Sequence, residues 1–367
     1  MVPPGYASLT PSGCEAPGTL GAAAVLASQP MTSIPESPRQ PLEHVRWGII
    51  GCGDVTEVKS GPAFARLANS SLTAVMRRDA AKARDYARRH GVPRWTSDAT
   101  AIIDADDVDA VYVATPPSSH AGYVIRAAAA GKPVYVEKPM AVSVAEAEAM
   151  VNACEAAGVP LFVAYYRRAL PRFAFVGERI AEGAIGTPRL VQLALHQPPP
   201  PDPAASGWRW DPAIAGGGLL MDLGSHALDL LDQWLGPIVD VRSFRATRLP
   251  WARVEDQLVA AFAFASGVQG DAVWGFNGTV RRDLMSVVGT HGRIAVPLFS
   301  DGPVVLEGAD GAVREHYVAH PPHVQEPLIA TINDHLTGGG TDCPSTGVSA
   351  LRTQRVLEAL LHDVPLA

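Results

Sequence analysis

The sequence predicts an α/β protein of two domains, a doubly wound parallel sheet followed by a domain of paired strands. Three observations predict it. Between residue 45 and about residue 167, short apolar runs alternate with helix-like stretches, the pattern of βαβ units that wind a parallel sheet. The first strand meets its helix through "GCGDVT", a glycine-rich junction. After Arg167 the strand-like stretches come in adjacent pairs with glycine-containing turns, as in hairpins.

The 367 residues suffice for two domains, and 47% hydrophobic with 18% charged residues permits a large core. Net charge is −7 and no lysine/arginine-rich block occurs, so no nucleic-acid partner is expected. No apolar run reaches the roughly 18 residues that span a membrane, so no membrane partner is expected either. The four cysteines (Cys14, Cys52, Cys154, Cys343) lie far apart without a C-x-x-C pair. Neither a zinc site nor a disulfide framework follows from that spacing, no other metal-ligand spacing occurs, and a reducing cytoplasm is the expected location. Residues 1–44 are rich in Pro, Gly, Ala and Ser, lack periodicity and are expected to form a disordered tail. No Lys or Arg precedes Arg39, so the basic region of a secretion signal is missing.

The elements follow in order. "VRWGII" (45–50) reads as a buried strand, and a helix runs from "GCGDVT" (51–56) to about Ala68. "SLTAVMRR" (71–78) is a second strand, and "DAAKARDYARRHG" (79–91) a helix closed by a glycine. "VDAVYVATPP" (108–117) and "PVYVEKP" (133–139) are further strands, with helices capped near Ser118 and Ser143. "RLVQLALHQ" (189–197), "QLVAAFAFASGVQGDAVWGF" (257–276) and "DLMSVVGTHGRIAVP" (283–297) read as strands and hairpins. Two helices end the chain.

In this context "GCGDVT" reads as a dinucleotide-binding turn. Gly51 permits the tight turn, and Gly53 lets the backbone approach a pyrophosphate. Asp54 and Val55 follow in the same turn, but Thr56 stands where the fingerprint has a third glycine. At the end of the second strand, NAD enzymes often place an acid for the ribose hydroxyl. Here Arg77 and Arg78 stand instead and suit a 2′-phosphate, so NADP is expected over NAD. A bare glycine turn and two solvated arginines are the bland alternatives. "GGGLLMDLGSHALDLLDQWLG" (216–236) reads as a mostly buried helix with a narrow polar stripe that includes Asp222, His226 and Asp229. Such a stripe needs a structural partner or a wet cleft.

Taken together, "GIIGCGDV", "VATPPSSH", "AAGKPVYVEKPMA" and "WRWDPAIAGGGLLMDLGSHALDLL" resemble the glucose–fructose oxidoreductase/inositol dehydrogenase/rhizopine catabolism (Gfo/Idh/MocA) family over residues 45–365. The resemblance implies an N-terminal Rossmann domain, a doubly wound parallel sheet, and a C-terminal α/β domain with a largely antiparallel open sheet that serves in homo-oligomerisation. The expected divisions are 45–166 for the nucleotide-binding domain, 167–325 for the substrate and oligomerisation domain, and 326–367 for the C-terminal helices.

It further implies a catalytic lysine in the EKP motif, here Lys138 beside Glu137, with a cis Lys138–Pro139 bond. An aspartate and histidine four apart carry over to Asp222 and His226. His226 would move the proton that accompanies a hydride, Asp222 would orient it or bind a substrate hydroxyl, and Lys138 would stabilise the alkoxide. Thr115, Pro116 and His120 of "TPPSSH" and the pair Trp208 and Arg209 are implied cofactor contacts. Tyr165, Tyr166 and Arg167, at the junction, are candidates to reach the cleft, whereas Asp229 is expected to be structural. The implied activity is NAD(P)-dependent hydride transfer on a sugar, inositol or related polyol, with 1,5-anhydrofructose as a sugar-type example. An NAD-dependent glycosidase and a cofactor-sensing binding protein are the alternatives within the resemblance.

Overall fold

The computed structural model describes residues 41–366, so the tail expected over 1–44 lies largely outside the described residues. Six strands form the first sheet: β1 (Val45–Ile50), β2 (Ser70–Met76), β3 (Arg94–Thr96), β4 (Ala110–Val113), β5 (Val134–Val136) and β6 (Leu161–Val163). Their order is β3-β2-β1-β4-β5-β6 and every pairing is parallel. The strand order reverses between β1 and β4, and ligands of such sheets bind outside the carboxyl ends of the strands at that point. Ala110 to Val113 are all fully buried, as expected of a strand covered on both faces.

Two differences from the sequence reading concern short elements. The three-residue strands β3 and β6 carry too few positions for a periodic signal. The helix after β1 breaks into Asp54–Val58 and Gly61–Arg66. Pro62 at the start of the second piece has no N–H to continue the first. Gly61 lies so close to Thr56 O and the Tyr86 hydroxyl that a Cβ would meet them at 2.1 and 2.3 Å.

The second sheet has eight strands: β7 (Pro188–His196), β8 (Ile238–Ala246), β9 (Gln257–Phe264), β10 (Gln269–Gly275), β11 (Arg282–Gly289), β12 (Gly292–Val296), β13 (Val304–Gly308) and β14 (Val313–His316). Their order is β14-β13-β12-β11-β7-β10-β9-β8, and only the β7–β10 pair is parallel. Period-2 alternation sends Leu258, Ala260 and Phe262 into the core and leaves Val259 on the outer face.

The last helix, Gly347–His362, packs against four elements: the helix Val144–Ala156, the helix Ser225–Leu235, β8 and β6. Within this joint lies an ionic network whose core, Arg168 with Asp229 and Asp232, is buried and whose rim, Arg352, is partly exposed. Arg168, just after β6, donates to both carboxylate oxygens of Asp229 at 2.7 and 2.8 Å and to Asp232 at 3.1 Å, while Arg352 donates to Asp232 at 2.9 and 2.7 Å. The helix that carries His226 is therefore tied to the end of the first sheet. Among the described residues no helix is long and apolar enough to cross a membrane.

Removing one partner of a buried ion pair strands the other charge, at a cost of about 3–5 kcal/mol. Arg168→Ala is expected to lower the urea unfolding free energy by that amount. A change under 1 kcal/mol, on the order of a surface pair, would show that the network does not hold the helix.

Candidate active site

The carboxyl ends of β1, β2, β4 and β5 open on one continuous groove, closed on its other side by residues of the second half of the chain. One stretch runs over Gly51, Gly53, Arg77, Arg78, Thr115 and Trp208. The next runs from Gly53 to Lys138, Asp222 and His226. The two share Gly53, Asp54, Ala114, Thr115, Pro116 and Trp208.

At the first stretch Gly51 has φ +97°, and a side chain on it would meet the Thr115 methyl at 2.7 Å. A side chain on Gly53 would meet only the Gly51 carbonyl, at 3.8 Å, so Gly53 presents open backbone to the groove. That bare cradle fits a pyrophosphate. The absent third glycine is explained by Thr56. Its buried hydroxyl accepts from Gly53 N at 3.0 Å and donates to Gly53 O at 2.8 Å, closing the turn by side-chain bonds. Beyond β2, Arg77 donates to the Cys52 carbonyl at 3.2 Å, and Arg78 stays exposed. The Asp79 carboxylate is engaged by the N–H groups of Ala81 and Lys82 and starts the next helix.

At the reacting end, β5 delivers Glu137 and Lys138, followed by a cis Lys138–Pro139 bond. Lys138 Nζ donates to Asp222 Oδ1 at 2.5 Å and to the Asp222 carbonyl at 2.7 Å. Arg209 Nε donates to Asp222 Oδ2 at 3.0 Å, with its guanidinium 4.6 Å from the centre of the Trp208 ring. Burial alone would raise the Asp222 carboxyl. The charges of Lys138 and Arg209 outweigh it and hold the group at about 2. Asp222 is therefore a carboxylate across the physiological range, fixed between two cations.

His226 is 3% exposed, and its Nδ1 has no hydrogen-bond partner. Its ring lies against Tyr165, Tyr166 and Phe299 at centroid distances of 6.1, 5.2 and 6.0 Å. Burial first, then the charges of Arg167, Lys138 and Lys59, push its proton affinity well below that of a free imidazole. The neutral ring is thus an available proton acceptor.

Two expectations need correction. Asp222 does not orient His226. It lies in a π-helical turn, Leu220–Gly224, ahead of the α-helix Ser225–Leu235, and this wider turn breaks the simple α-helical stacking of the two residues. Its carboxylate faces Lys138 and Arg209 instead. His120 is not a groove residue. It is fully buried, with Nε2 2.7 Å from the Thr115 carbonyl and Nδ1 3.2 Å from the carbonyls of Pro139 and Met140. It braces the β4 loop against the Lys138–Pro139 turn. Ser119 rather than Ser118 precedes the following helix, and its hydroxyl bonds Thr115 and Pro116 rather than capping.

Val55, Glu137, Tyr166 and Arg167 also line the groove, whereas buried Tyr165 does not. Glu137 accepts from the Tyr112 hydroxyl at 2.6 Å and from Gln325 Nε2 at 2.7 Å, which fixes the turn from below. Lys59, Phe299 and Gln325 line the groove as well, and no motif marked them. Asp229, on the same helix as His226, faces Arg168 and away from the groove.

The chain matches a family model described as an oxidoreductase family with an NAD-binding Rossmann fold over residues 45–165, and the GFO/IDH/MocA C-terminal domain over 173–295. It is 36% identical to oxidoreductase P35 of Formosa agariphila over 82% of this chain and 93% of that protein. It is 28% identical to 1,5-anhydro-D-fructose reductase of Ensifer adhaerens over 80% of this chain and 89% of that one. Among solved structures it resembles an aldose-aldose oxidoreductase from Caulobacter crescentus complexed with glycerol (TM-score 0.76, 29% identity, 86% of this chain and 96% of that one). It also resembles levoglucosan dehydrogenase complexed with NADH and levoglucosan (TM-score 0.77, 26% identity, 86% and 96%).

The environment of His226 has a stability consequence. Below pH about 6.5 the unfolded chain takes up a proton at this residue, while the folded chain keeps the ring neutral until much lower pH. Stability therefore falls with pH in that window, approaching about 1.4 kcal/mol per pH unit for one proton. Relative to His226→Gln, the native chain is expected to lose unfolding free energy between pH 6.5 and 5. Parallel curves for the two chains would mean that His226 takes up its proton in the fold as it does in the unfolded chain.

Proposed function

The chain belongs to the GFO/IDH/MocA oxidoreductase family, NAD-binding enzymes of sugars and polyols, and on that premise we propose that it moves a hydride between NADP and a carbinol or carbonyl carbon of a sugar, inositol or related polyol. The observation that carries this reading is the single groove that joins the bare Gly51–Gly53 turn to the cluster of Lys138, Asp222 and His226. Gly51, Gly53, Asp54 and Val55 hold the phosphates, and Thr115, Pro116, Glu137, Lys138, Trp208 and Arg209 flank the nicotinamide half. The bound nicotinamide supplies or takes up the hydride.

The chain's own residues handle the proton. In the oxidation direction the neutral His226 ring accepts the proton of the substrate hydroxyl. The Lys138 ammonium donates a hydrogen bond to the same oxygen and stabilises its negative charge as it develops. Asp222 holds the Lys138 side chain at a fixed point, and Arg209 keeps Asp222 from following the lysine. In reduction the same groups act in reverse.

Arg77, Arg78 and Lys82 at the far stretch support NADP over NAD, because the carboxylate there, Asp79, is engaged through Oδ1 as the cap of the next helix. The free, buried thiols of Cys52, Cys154 and Cys343 suit a reducing cytoplasm. The outer face of the second sheet exposes Leu190, Phe244 and Val259, a surface for self-association.

Lys138→Ala and His226→Ala are each expected to lower kcat by about 10²-fold or more while calorimetry shows that nucleotide binding survives. Near-normal turnover in either variant removes that residue from the proton chemistry. Parallel titrations should show NADPH binding more tightly than NADH, a preference that Arg78→Ala diminishes; tighter NADH binding would overturn the NADP assignment. Sedimentation velocity is expected to give an oligomer that Phe244→Lys with Val259→Lys converts to monomer; a monomeric native chain would refute the assembly.

A further inference from the structure

We infer that the substrate carries an oxyanion, a carboxylate, phosphate or sulfate, which the buried guanidinium of Arg167 receives beside His226. This rests on the oxidoreductase reading above and adds the charge of the substrate to it.

Arg167 is 7% exposed, yet it lines the reacting end of the groove. Its Nε donates to the Leu298 carbonyl at 3.2 Å and its Nη1 to the Tyr166 hydroxyl at 3.0 Å. A guanidinium has five N–H donors, so these two bonds leave three, with at least one on each terminal nitrogen. That remaining edge has the fork geometry that takes an oxyanion by two parallel bonds. Among the described residues no carboxylate pairs with it. The other buried arginine of the same turn, Arg168, has Asp229 and Asp232. Aromatic faces surround Arg167 instead, with Phe299, Tyr166 and Phe173 at 4.4, 5.0 and 6.0 Å. They stabilise a cation without neutralising it. A buried charge without a counter-charge is costly, and the open side of this one is the groove.

Neighbouring groups register the same uncompensated charge. Arg172, 5% exposed, bonds only the carbonyls of Ser300 and Val318. His320 Nδ1 is buried without a partner, and after burial the charges of Arg172 and Arg167 lower its proton affinity, against a smaller opposing pull from Asp301. Two carboxylates at this end are already engaged, Asp222 by Lys138 and Arg209 and Glu137 by Tyr112 and Gln325.

Position distinguishes a substrate anion from the phosphates of the nucleotide. Arg167 does not line the stretch over Gly51, Arg77 and Arg78. Tyr166 and Phe299 each pack on both His226 and Arg167. A substrate whose reacting carbon meets His226 therefore presents a substituent a short way along the molecule to Arg167.

The test uses the full chain saturated with its nucleotide. Neutral sugars and polyols are each paired with an anionic counterpart, such as D-glucose with D-glucuronate and with D-glucose 6-phosphate. Binding is followed by calorimetry and turnover by nucleotide absorbance. The anionic member of at least one pair is expected to bind about tenfold tighter or more. The carboxylate and phosphate arms identify which oxyanion is preferred. Arg167→Gln should reduce the preference to within about twofold, and Arg167→Lys should restore part of it. Thermal unfolding and nucleotide titration check that both variants are folded. Turnover confined to neutral sugars would overturn this inference and leave the oxidoreductase reading standing, as would a preference that survives Arg167→Gln. No turnover of any member alongside intact nucleotide binding would overturn both.

Discussion

The buried contact of Arg168 with Asp229 and Asp232 fixes the geometry on which the site depends. Arg168 follows the last strand of the nucleotide-binding sheet, and the two aspartates lie on the helix that bears His226. Arg352 joins from the final helix, so three segments remote in sequence meet at one set of charges. Arg168, Asp229 and Asp232 are almost wholly removed from water, where a misplaced charge would cost several kcal/mol. Hydrophobic packing alone tolerates small sliding between helix and sheet. A pair of directed ionic bonds does not, and the ring of His226, one turn earlier on the same helix, inherits that fixed position.

A second set of charges, Lys138, Asp222 and Arg209, does the corresponding task inside the groove. The lysine comes from the first sheet and the aspartate from the turn before the helix, so the pair spans the junction of the two halves. Two cations on one carboxylate leave the ensemble positive, which suits an oxygen that becomes an alkoxide. The π-helical turn at Leu220–Gly224 makes this possible. In an uninterrupted α-helix Asp222 and His226, four apart, would share one face. The wider turn parts them, and the carboxylate serves the lysine while the imidazole keeps its lone pair.

Elements with strong periodicity or a fixed motif were legible in the sequence. β1, β2 and β4, the glycine turn and the Glu137–Lys138 corner all follow from local pattern. β3 and β6 have three residues each and gain their pairing only from neighbours far along the chain. β8, β13 and β14 are absent from the sequence reading because they lie towards the edges of the sheet, where their alternation of buried and exposed positions is irregular. Site residues divide in the same way. Lys138, Asp222 and His226 lie in recognisable motifs. Phe299 and Gln325 reach the groove from loops more than 70 residues beyond His226 in the chain, and Gln325 is held there by Tyr135, Glu137 and the Lys59 carbonyl, residues remote from it in sequence. His120 failed for the opposite reason: a polar residue in a ligand-like loop proved to satisfy backbone carbonyls.

The depressed basicity of His226 and the unpaired charge of Arg167 are one electrostatic problem. A general base works best with a proton affinity near the working pH, and His226 lies well below it. Burial is the larger cause and persists when the groove fills. The cationic share, with Arg167 its first contributor, can be offset by a negative charge placed against that guanidinium. An anionic substrate would thus strengthen the base that acts on it, whereas a neutral one would leave the ring as weak as in the free protein. Discrimination would then enter the chemical step as well as binding, through the same side chain, because the right charge offsets the cationic share of the penalty while burial keeps its own.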